Sequence, residues 1–563
     1  GRFADGKLAA KLAVNLRSYD GYSKNIITGS DLNTNDVTAF RGALTFDPTP
    51  DISSNLIIDT LTEKTIGPAG QTVNDGSAAY LLLPALARSD IRVAAYNFDP
   101  SVKTESSGIA WETNFTQDYG TFTSVLGYRT ITYLNRGDFD GLITPEPGLD
   151  VTRDFDSDAY SAELRFASDT GTDFDYVVGL FASKDEFTQI NTVLPSPPVR
   201  TLAVITQESQ SLAAFAQADW RFADKWTLTL GGRYTQDEKD YSIDSDVFVG
   251  GVFVPPSSFA DTLNASWDNF TPRAALQYAA TEDINFYGSV STGYKGGGFN
   301  SRGTTSETIG PYDEETVTAY ELGMKSELFD GSMRLNLAAF FNDYKDLQGS
   351  VTRLGAVRAE STTSNIADIE TSGIEAEWQW LPTDRLSVGV NFSYLDAKFV
   401  RFCQDVDGAF TNGAPEPRQC GPAEEVFLNG ISTGTFSVPV DSTGLDLANA
   451  PPYSGSILLD YVVPVSLGDI KAHLDFRYTD KYNTWGRSND AAYYRDSVIL
   501  VNGNISLTAP EERWQIVVYG RNLTDQDVIS GAARSGTSPI IQYYQPPREF
   551  GVELGQFKRP GVG

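Results

Sequence analysis

Two cysteines, Cys403 and Cys420, bracket the polar segment RFCQDVDGAFTNGAPEPRQC. No CxxC pair and no histidine lies beside them, so they read first as a disulfide, with two free thiols next and a metal site well behind. A disulfide implies an oxidising compartment, and in the chain-entropy account it closes a loop of a size worth about 3 kcal/mol. The chain has a single histidine, His473, inside the alternating run KAHLDFRY. A histidine-based triad has no other imidazole to use, and at this position the ring reads as a hydrogen-bonding residue on a polar strand face. Glu375 and Glu377 in IEAEWQW are successive members of one strand face, a solvated pair rather than an acid and a base. Asp138 and Asp140 in NRGDFDG, and Asp405 and Asp407 in CQDVDG, offer clustered oxygens to calcium without the full spacing of a calcium loop. The glycines of STGYKGGGFN, residues 291–300, are no phosphate cradle, because no helix with a Lys-Ser/Thr start follows them.

The elements that must carry these residues are strands. In KAHLDFRY, Ala472, Leu474, Phe476 and Tyr478 share one side while Lys471, His473, Asp475 and Arg477 share the other, a separation that follows from a period of two. LSVGVNFSY and IEAEWQW divide in the same way. Tight connections (FADK at 222–225, ATED at 280–283, FDGS at 329–332, PTDR at 382–385, PEER at 510–513) alternate with long polar ones. That rhythm is expected of an antiparallel barrel with turns at one rim and loops at the other. The reading is an all-β transmembrane barrel of roughly 20 strands in one domain spanning 1–563, the first strand near residues 7–20 and the last near 546–557. Residues 400–449 read as a long external loop holding the disulfide.

Composition sets further limits. The net charge of -31 disfavours nucleic acid as a partner, since phosphate binding needs a basic face. No window approaches the run of about 18 apolar residues that a membrane helix needs. Aromatics make up 12% of the chain and recur at strand ends, as in TITYLNR, FFNDYKDLQ and AEWQWLP, which fits interfacial girdles better than a soluble propeller or sandwich. The opening GRFADGKLAA has no methionine and no signal-peptide pattern, so a segment is expected upstream. Glycines 296–298 are expected to release their strand from its ladder and let it bend toward lumen or solvent, with Tyr294 at the outer interface.

STGYKGGGFN, PYDEETVTAYELGMKSELFDGSMRLNLAAFFNDYKDLQ at 311–348, WQIVVYGRNLTD at 514–525 and PPREFGVELGQF at 546–557 together resemble the barrel of a TonB-dependent outer-membrane receptor. The resemblance runs over nearly the whole chain. It implies a 22-stranded barrel filled by an N-terminal plug, active uptake of a scarce ligand driven through TonB, no catalysis and no cofactor. GRFADGKLAA resembles the turn before the family's third strand, so the plug, the TonB-engaging segment and about two strands are expected to be absent from this chain. Leu8 to Tyr19 and Arg548 to Phe557 are then expected to flank a gap. KRPGVG departs from the aromatic residue on which the family usually ends.

The implied partners are outer-membrane lipid and lipopolysaccharide, TonB, and a small molecule, first a ferric siderophore. The resemblance places Arg, Tyr and Trp near the outer mouth as ligand contacts. Candidates are Arg353 and Arg358 in VTRLGAVRAE, Trp485, Arg487, Tyr493 and Tyr494 in a later loop, and Tyr543 and Tyr544 near the end. Haem is disfavoured with one histidine available. A glycan or aromatic cargo, or a passive porin-like channel, is the alternative.

Overall fold

The computed structural model describes residues 2–556 apart from 4–5, 74–88, 139–149, 197–198, 255–257, 304–305, 355–358, 407–419, 421–423, 429–430, 487 and 534–539. Twenty strands succeed one another around a single antiparallel wall. They are β1 (Leu8–Tyr19), β2 (Asn35–Thr49), β3 (Ile52–Ile66), β4 (Ser101–Gln117), β5 (Gly120–Asp138), β6 (Asp150–Ser168), β7 (Phe174–Ser196), β8 (Val199–Ala223), β9 (Trp226–Val249) and β10 (Phe259–Ala279). The second half comprises β11 (Ile284–Lys295), β12 (Glu315–Leu328), β13 (Met333–Leu354), β14 (Ala359–Thr383), β15 (Leu386–Val406), β16 (Tyr453–Val465), β17 (Gly468–Thr479), β18 (Val498–Thr508), β19 (Trp514–Arg521) and β20 (Glu549–Gln556). Each pairs with the next in sequence, so hairpin follows hairpin without a crossover.

The apolar face of this wall points outward. On β9 the residues Leu230 and Tyr234 are exposed while Thr229 and Thr235, which flank them, are buried. Leu322 on β12 is 70% exposed, and Phe270 on β10 and Leu180 on β7 are exposed too. A soluble sheet would hide such side chains; a barrel solvated by lipid displays them. Two aromatic rings bound the aliphatic band. At the short-turn rim Tyr119, Phe122, Phe166, Phe174 and Tyr176 form one chain of contacts and Trp220, Phe222, Trp226 and Tyr278 another, with centroids 4.6–6.4 Å apart. Toward the loop rim Tyr128 meets Tyr160 at 5.0 Å, Tyr320 meets Phe341 at 6.3 Å and Tyr394 meets Tyr453 at 5.2 Å. Phe122 and Tyr128 stand on the same strand, about 20 Å apart at the usual strand rise, close to the height of an outer-membrane apolar band.

Polar residues face the lumen and bond to one another across strands. His473 Nδ1 lies 2.9 Å from Asp460 Oδ1, and Lys471 Nζ lies 3.0 Å from the same oxygen. Asn336 donates to Glu377 at 3.3 Å. The histidine is a member of a lumen network, as its alternating surroundings predict.

Among the described residues no ladder joins β1 to β20. Beside β2, β1 pairs only with the two-residue strand Arg2–Phe3, and β20 pairs only with β19. Leu16 is 73% and Leu554 78% exposed along these two edges.

Two expectations need correction. The loop expected at 400–449 begins later, because β15 continues to Val406, and its outer end pairs with a strand Ile431–Asp441 that forms a hairpin with Glu424–Leu428. Cys403 therefore lies within a strand; it is bonded to Cys420 with 5.8 Å between Cα atoms. Tyr294 is not an interface anchor. The β10–β11 ladder stops at Arg273 and Ser291, next to Pro272, which has no N–H to extend it. Beyond that point β11 leaves β10, and the Tyr294 hydroxyl donates to the Asp237 carboxylate of β9.

Candidate ligand-binding mouth

The strand that ends in STGYKGGGFN leads into segment 296–314, which folds back against the inner wall. Alternation settles the side: Leu230 and Tyr234 of β9 meet lipid, so Asp237, Lys239, Tyr241 and Ile243 meet the lumen. The segment lies on those residues. Ile309 is fully buried with Ile205, Tyr241 and Ile243, and Phe299 stacks on Tyr241 at 5.0 Å. Burying two such side chains is worth about 1.5–3 kcal/mol each. The glycines permit the approach: a methyl on Gly297 would overlap the Tyr312 carbonyl and the Trp267 ring, and one on Gly298 would stand 2.6 Å from the Tyr312 hydroxyl. Lys239 Nζ donates to the Gly297 carbonyl at 2.6 Å and lies 5.5 Å from the Trp267 ring centroid. Asn300 ties the segment to β14, donating to the Thr363 carbonyl at 3.1 Å and accepting from the Thr363 N–H at 2.6 Å. Beside it a polar cavity of about 270 Å³ is lined by Asn300, Thr308, Asp313, Thr363 and Asn365 among others.

A second assembly forms at the loop rim beside β1 and β20. Strand Gly70–Thr72, from the β3–β4 loop, pairs with Ile541–Tyr544 from the β19–β20 loop, which also pairs with Ile529–Ala533. Tyr22 donates to the Tyr544 carbonyl at 3.1 Å. Arg92 donates to the Gln545 carbonyl at 2.8 Å and meets Asp527 at 3.3 Å. Trp485 stacks on Tyr493 at 4.3 Å, and the buried Tyr493 packs with Ala532, Ile540 and Val73, so three loops share one small core. Tyr494 donates to Asp446. Tyr544 donates to Gln542 at 3.0 Å.

Trp485, Tyr493, Tyr494, Tyr543 and Tyr544 are thus brought together. Arg353 falls on β13, in register with Glu360 of β14. Arg358, Arg487, Asp140 and Asp407 lie outside the described residues. Asp405 pairs in register with Pro439, and Asp138 is buried opposite Asp150. No group of three or more His, Cys, Asp or Glu side chains suited to a metal ion occurs among the described residues.

The chemistry of this mouth is that of protonated phenols. Burial, reinforced by the charge of Asp138, holds the Tyr543 hydroxyl above its ordinary pKa. Burial does the same for Tyr96, whose hydroxyl donates to the Pro68 carbonyl at 3.1 Å. In Tyr494, burial and then the bond to Asp446 raise the value. Such groups donate hydrogen bonds and offer flat faces for stacking; they are not poised as phenolate ligands. Sequence reading missed Tyr22, Arg92, Tyr96, Tyr482 and Arg495. Tyr22, Arg92 and Tyr96 lie far along the chain from the aromatic residues of the later loops, and the pairing of distant loops makes Tyr22 and Arg92 their neighbours; Tyr482 and Arg495 meet across a two-residue ladder inside the β17–β18 loop.

Residues 18–523 match the family described as TonB dependent receptor-like, beta-barrel. The chain belongs to that family. As a TonB-dependent receptor barrel it is a protein of the bacterial outer membrane. The pesticin receptor of Yersinia pestis is 24% identical over 330 residues, 56% of this chain and 46% of that protein. This chain therefore spans about half the length of the curated relatives it matches. The ferric yersiniabactin uptake receptor FyuA from Yersinia pestis superposes with a TM-score of 0.77 at 18% identity, over 98% of this chain and 76% of that one. The siderophore receptor PiuA from Acinetobacter baumannii gives 0.71 at 15% identity, over 97% and 77%. These likenesses concern the fold.

Proposed function

We propose that this receptor barrel takes up a scarce ligand across the outer membrane, energised through TonB, and that the ligand is a ferric siderophore. The observation that carries the reading is the mouth itself: long loops from both ends of the chain converge into an aromatic, hydrogen-bond-donating surface above a polar lumen. That surface suits a chelate with flat and oxygen-rich parts, which stacking and phenol donors recognise without bonding the metal. The names of two structural neighbours support the same reading, one a ferric yersiniabactin uptake receptor and the other a siderophore receptor. The reading assigns no catalytic step and no cofactor to the chain.

A passive porin fits less well, because twenty strands exceed the 16–18 of porins and no narrow water channel is needed for a captured ligand. A glycan or aromatic cargo would use the same stacking faces. The deciding experiment is deletion of the full-length gene in its native host, followed by growth and radiolabelled iron uptake under iron limitation. Lost uptake of one iron complex is the expected result and names the ligand. Unchanged uptake of every iron complex overturns the ferric reading and leaves glycans and aromatics to be tried.

A further inference from the structure

The outer wall carries an apolar groove of about 630 Å³ that crosses β9 to β13. Strand register sets its residues in two rows. Leu228, Leu276, Gly288, Leu322 and Ala339 follow one another from strand to strand in the first, and Ala274, Val290, Tyr320 and Phe341 in the second. The alternation that exposes Leu230 and Phe270 also exposes Leu276, Val290, Tyr320, Leu322 and Phe341, so the groove opens toward lipid and away from the lumen. Its floor is low because Gly288 and Ala274 bring almost no bulk to it. A Cβ on Gly288 would stand 2.9 Å from Leu322 Cδ2, and Leu322 rises beside it as one wall.

Size and position say what fits. Four strand spacings make the groove about 19 Å long. One end lies at Tyr320 and Phe341, an aromatic pair of the loop-rim girdle, and the other at Leu228, two residues from Trp226 of the turn-rim girdle. Strands tilted by about 35–45° make such a row descend obliquely through the apolar band. Its length is close to that of one leaflet's hydrocarbon, about half of a 30 Å core. Left empty, the groove would forfeit dispersion contacts along all its lining side chains. No hydrophobic effect presses a second protein onto it in lipid, and a smooth barrel wall laid across Leu276 and Leu322 would leave the space beneath them vacant. A thin, flexible, apolar chain enters where a flat surface cannot.

We propose that the groove holds one acyl chain of a lipopolysaccharide molecule, packed over Gly288 between Leu276 and Leu322. The chain enters below Tyr320 and Phe341 at the loop rim, which assigns it to the outer leaflet, where lipopolysaccharide is the lipid. The site also has a mechanical consequence. The β10–β11 ladder stops at Arg273 and Ser291, one residue pair beyond Ala274 and Val290. The bound chain therefore covers the last bonded pairs of two strands that then part, and its packing steadies them. This inference rests on the barrel and its lipid-facing side, and it is independent of the cargo.

The test uses the full-length receptor in phosphatidylethanolamine vesicles that contain a minor fraction of lipopolysaccharide with a photoactivatable acyl chain. Crosslinked peptides are mapped by mass spectrometry. Label on residues 274–290 and 320–322 is expected at about fivefold the level on other outward faces, the gain from roughly ten extra carbon contacts. Gly288→Leu fills the floor and removes the enrichment. Ala339→Leu, which narrows the groove at its β13 end without touching the floor, lowers it at least about twofold. Ala214→Leu adds the same bulk to an exposed outward position of β8, outside the groove, and leaves the pattern unchanged. Uniform labelling of the wall, or enrichment that survives both Gly288→Leu and Ala339→Leu, overturns the proposal. Equal enrichment from a photoactivatable phosphatidylethanolamine overturns the assignment to lipopolysaccharide. Crosslinks between two receptor copies through residues 274–290, in place of lipid, make a second copy the occupant and overturn it as well.

Discussion

Two loop regions at the same rim are ordered by opposite means. Segment 296–314 lies on finished wall, and its order comes from apolar burial under Ile205, Tyr241 and Ile243 and from glycines that let backbone touch side chain. The loops beside β1 and β20 lie where, among the described residues, no ladder joins the two strands. They are held by bonds from one end of the chain to the other, such as Tyr22 to Tyr544 and Arg92 to Gln545, with one small aromatic core among them. A loop resting on a wall is an extension of the barrel, whereas loops that bridge two edges are an interface between distant parts of one chain. Interfaces of the second kind are smaller, more polar and easier to open.

That contrast can be broken most sharply at Gly297. Replacing it with valine forces a side chain into Tyr312 and Trp267, and the segment should lose about 1–3 kcal/mol of docking free energy, the range for overpacking. Hydrogen exchange of the Phe299 and Ile309 amides should rise by about one to two orders of magnitude, as that loss implies, while the strands Gly70–Thr72 and Ile541–Tyr544 keep their protection. If both regions lose protection together, they are one unit and the comparison fails.

A smaller effect is expected at the seam. Arg92→Ala removes a charged donor from the Gln545 carbonyl and should cost the loop assembly about 1–2 kcal/mol. Asp527→Ala removes only a partly exposed ion pair and should cost about 0.2–1 kcal/mol. A double-mutant cycle, read by exchange at Gly70–Thr72, separates the two terms. An Asp527→Ala effect as large as that of Arg92→Ala would mean that the ion pair, not the bond across the seam, holds these loops.

The smallest effect is one of pH. Burial tends to raise the Asp99 pKa, but hydrogen bonds from Ser30, Thr28 and Asn25 outweigh it and hold the value below the ordinary 3.8. A carboxylate depressed in the folded state adds stability above its unfolded pKa and loses it as pH falls through the folded one. Protection of the Asn25 and Tyr96 amides should therefore be flat above about pH 5 and decline only below the ordinary aspartate value. In Asp99→Asn that acid decline should vanish. Segment 296–314, which does not use Asp99, should show no matching change.

Much of the barrel was legible in the sequence. Leu474 and Tyr478 face out and Lys471 and His473 face in because a strand places alternate residues on opposite sides wherever it goes. ATED, FDGS and PEER turn where they stand because turn chemistry is local. The mouth was legible only by residue type. Trp485, Tyr493 and Tyr543 could be named as aromatic loop residues, but nothing near Arg495 in the chain marks that arginine as buried, and Arg353 looked no different from it.

The sequence by itself determined the strands, their two faces, the tight turns and the family, since each depends on residues within a few positions of one another. Tertiary structure alone decided that β11 bends inward, because Trp267 and Tyr241, which receive the bend, belong to other strands. It also decided which loops meet over the seam: Tyr22 and Tyr544 lie 522 residues apart in the chain, and only closure of the outer rim brings one hydroxyl to the other's carbonyl.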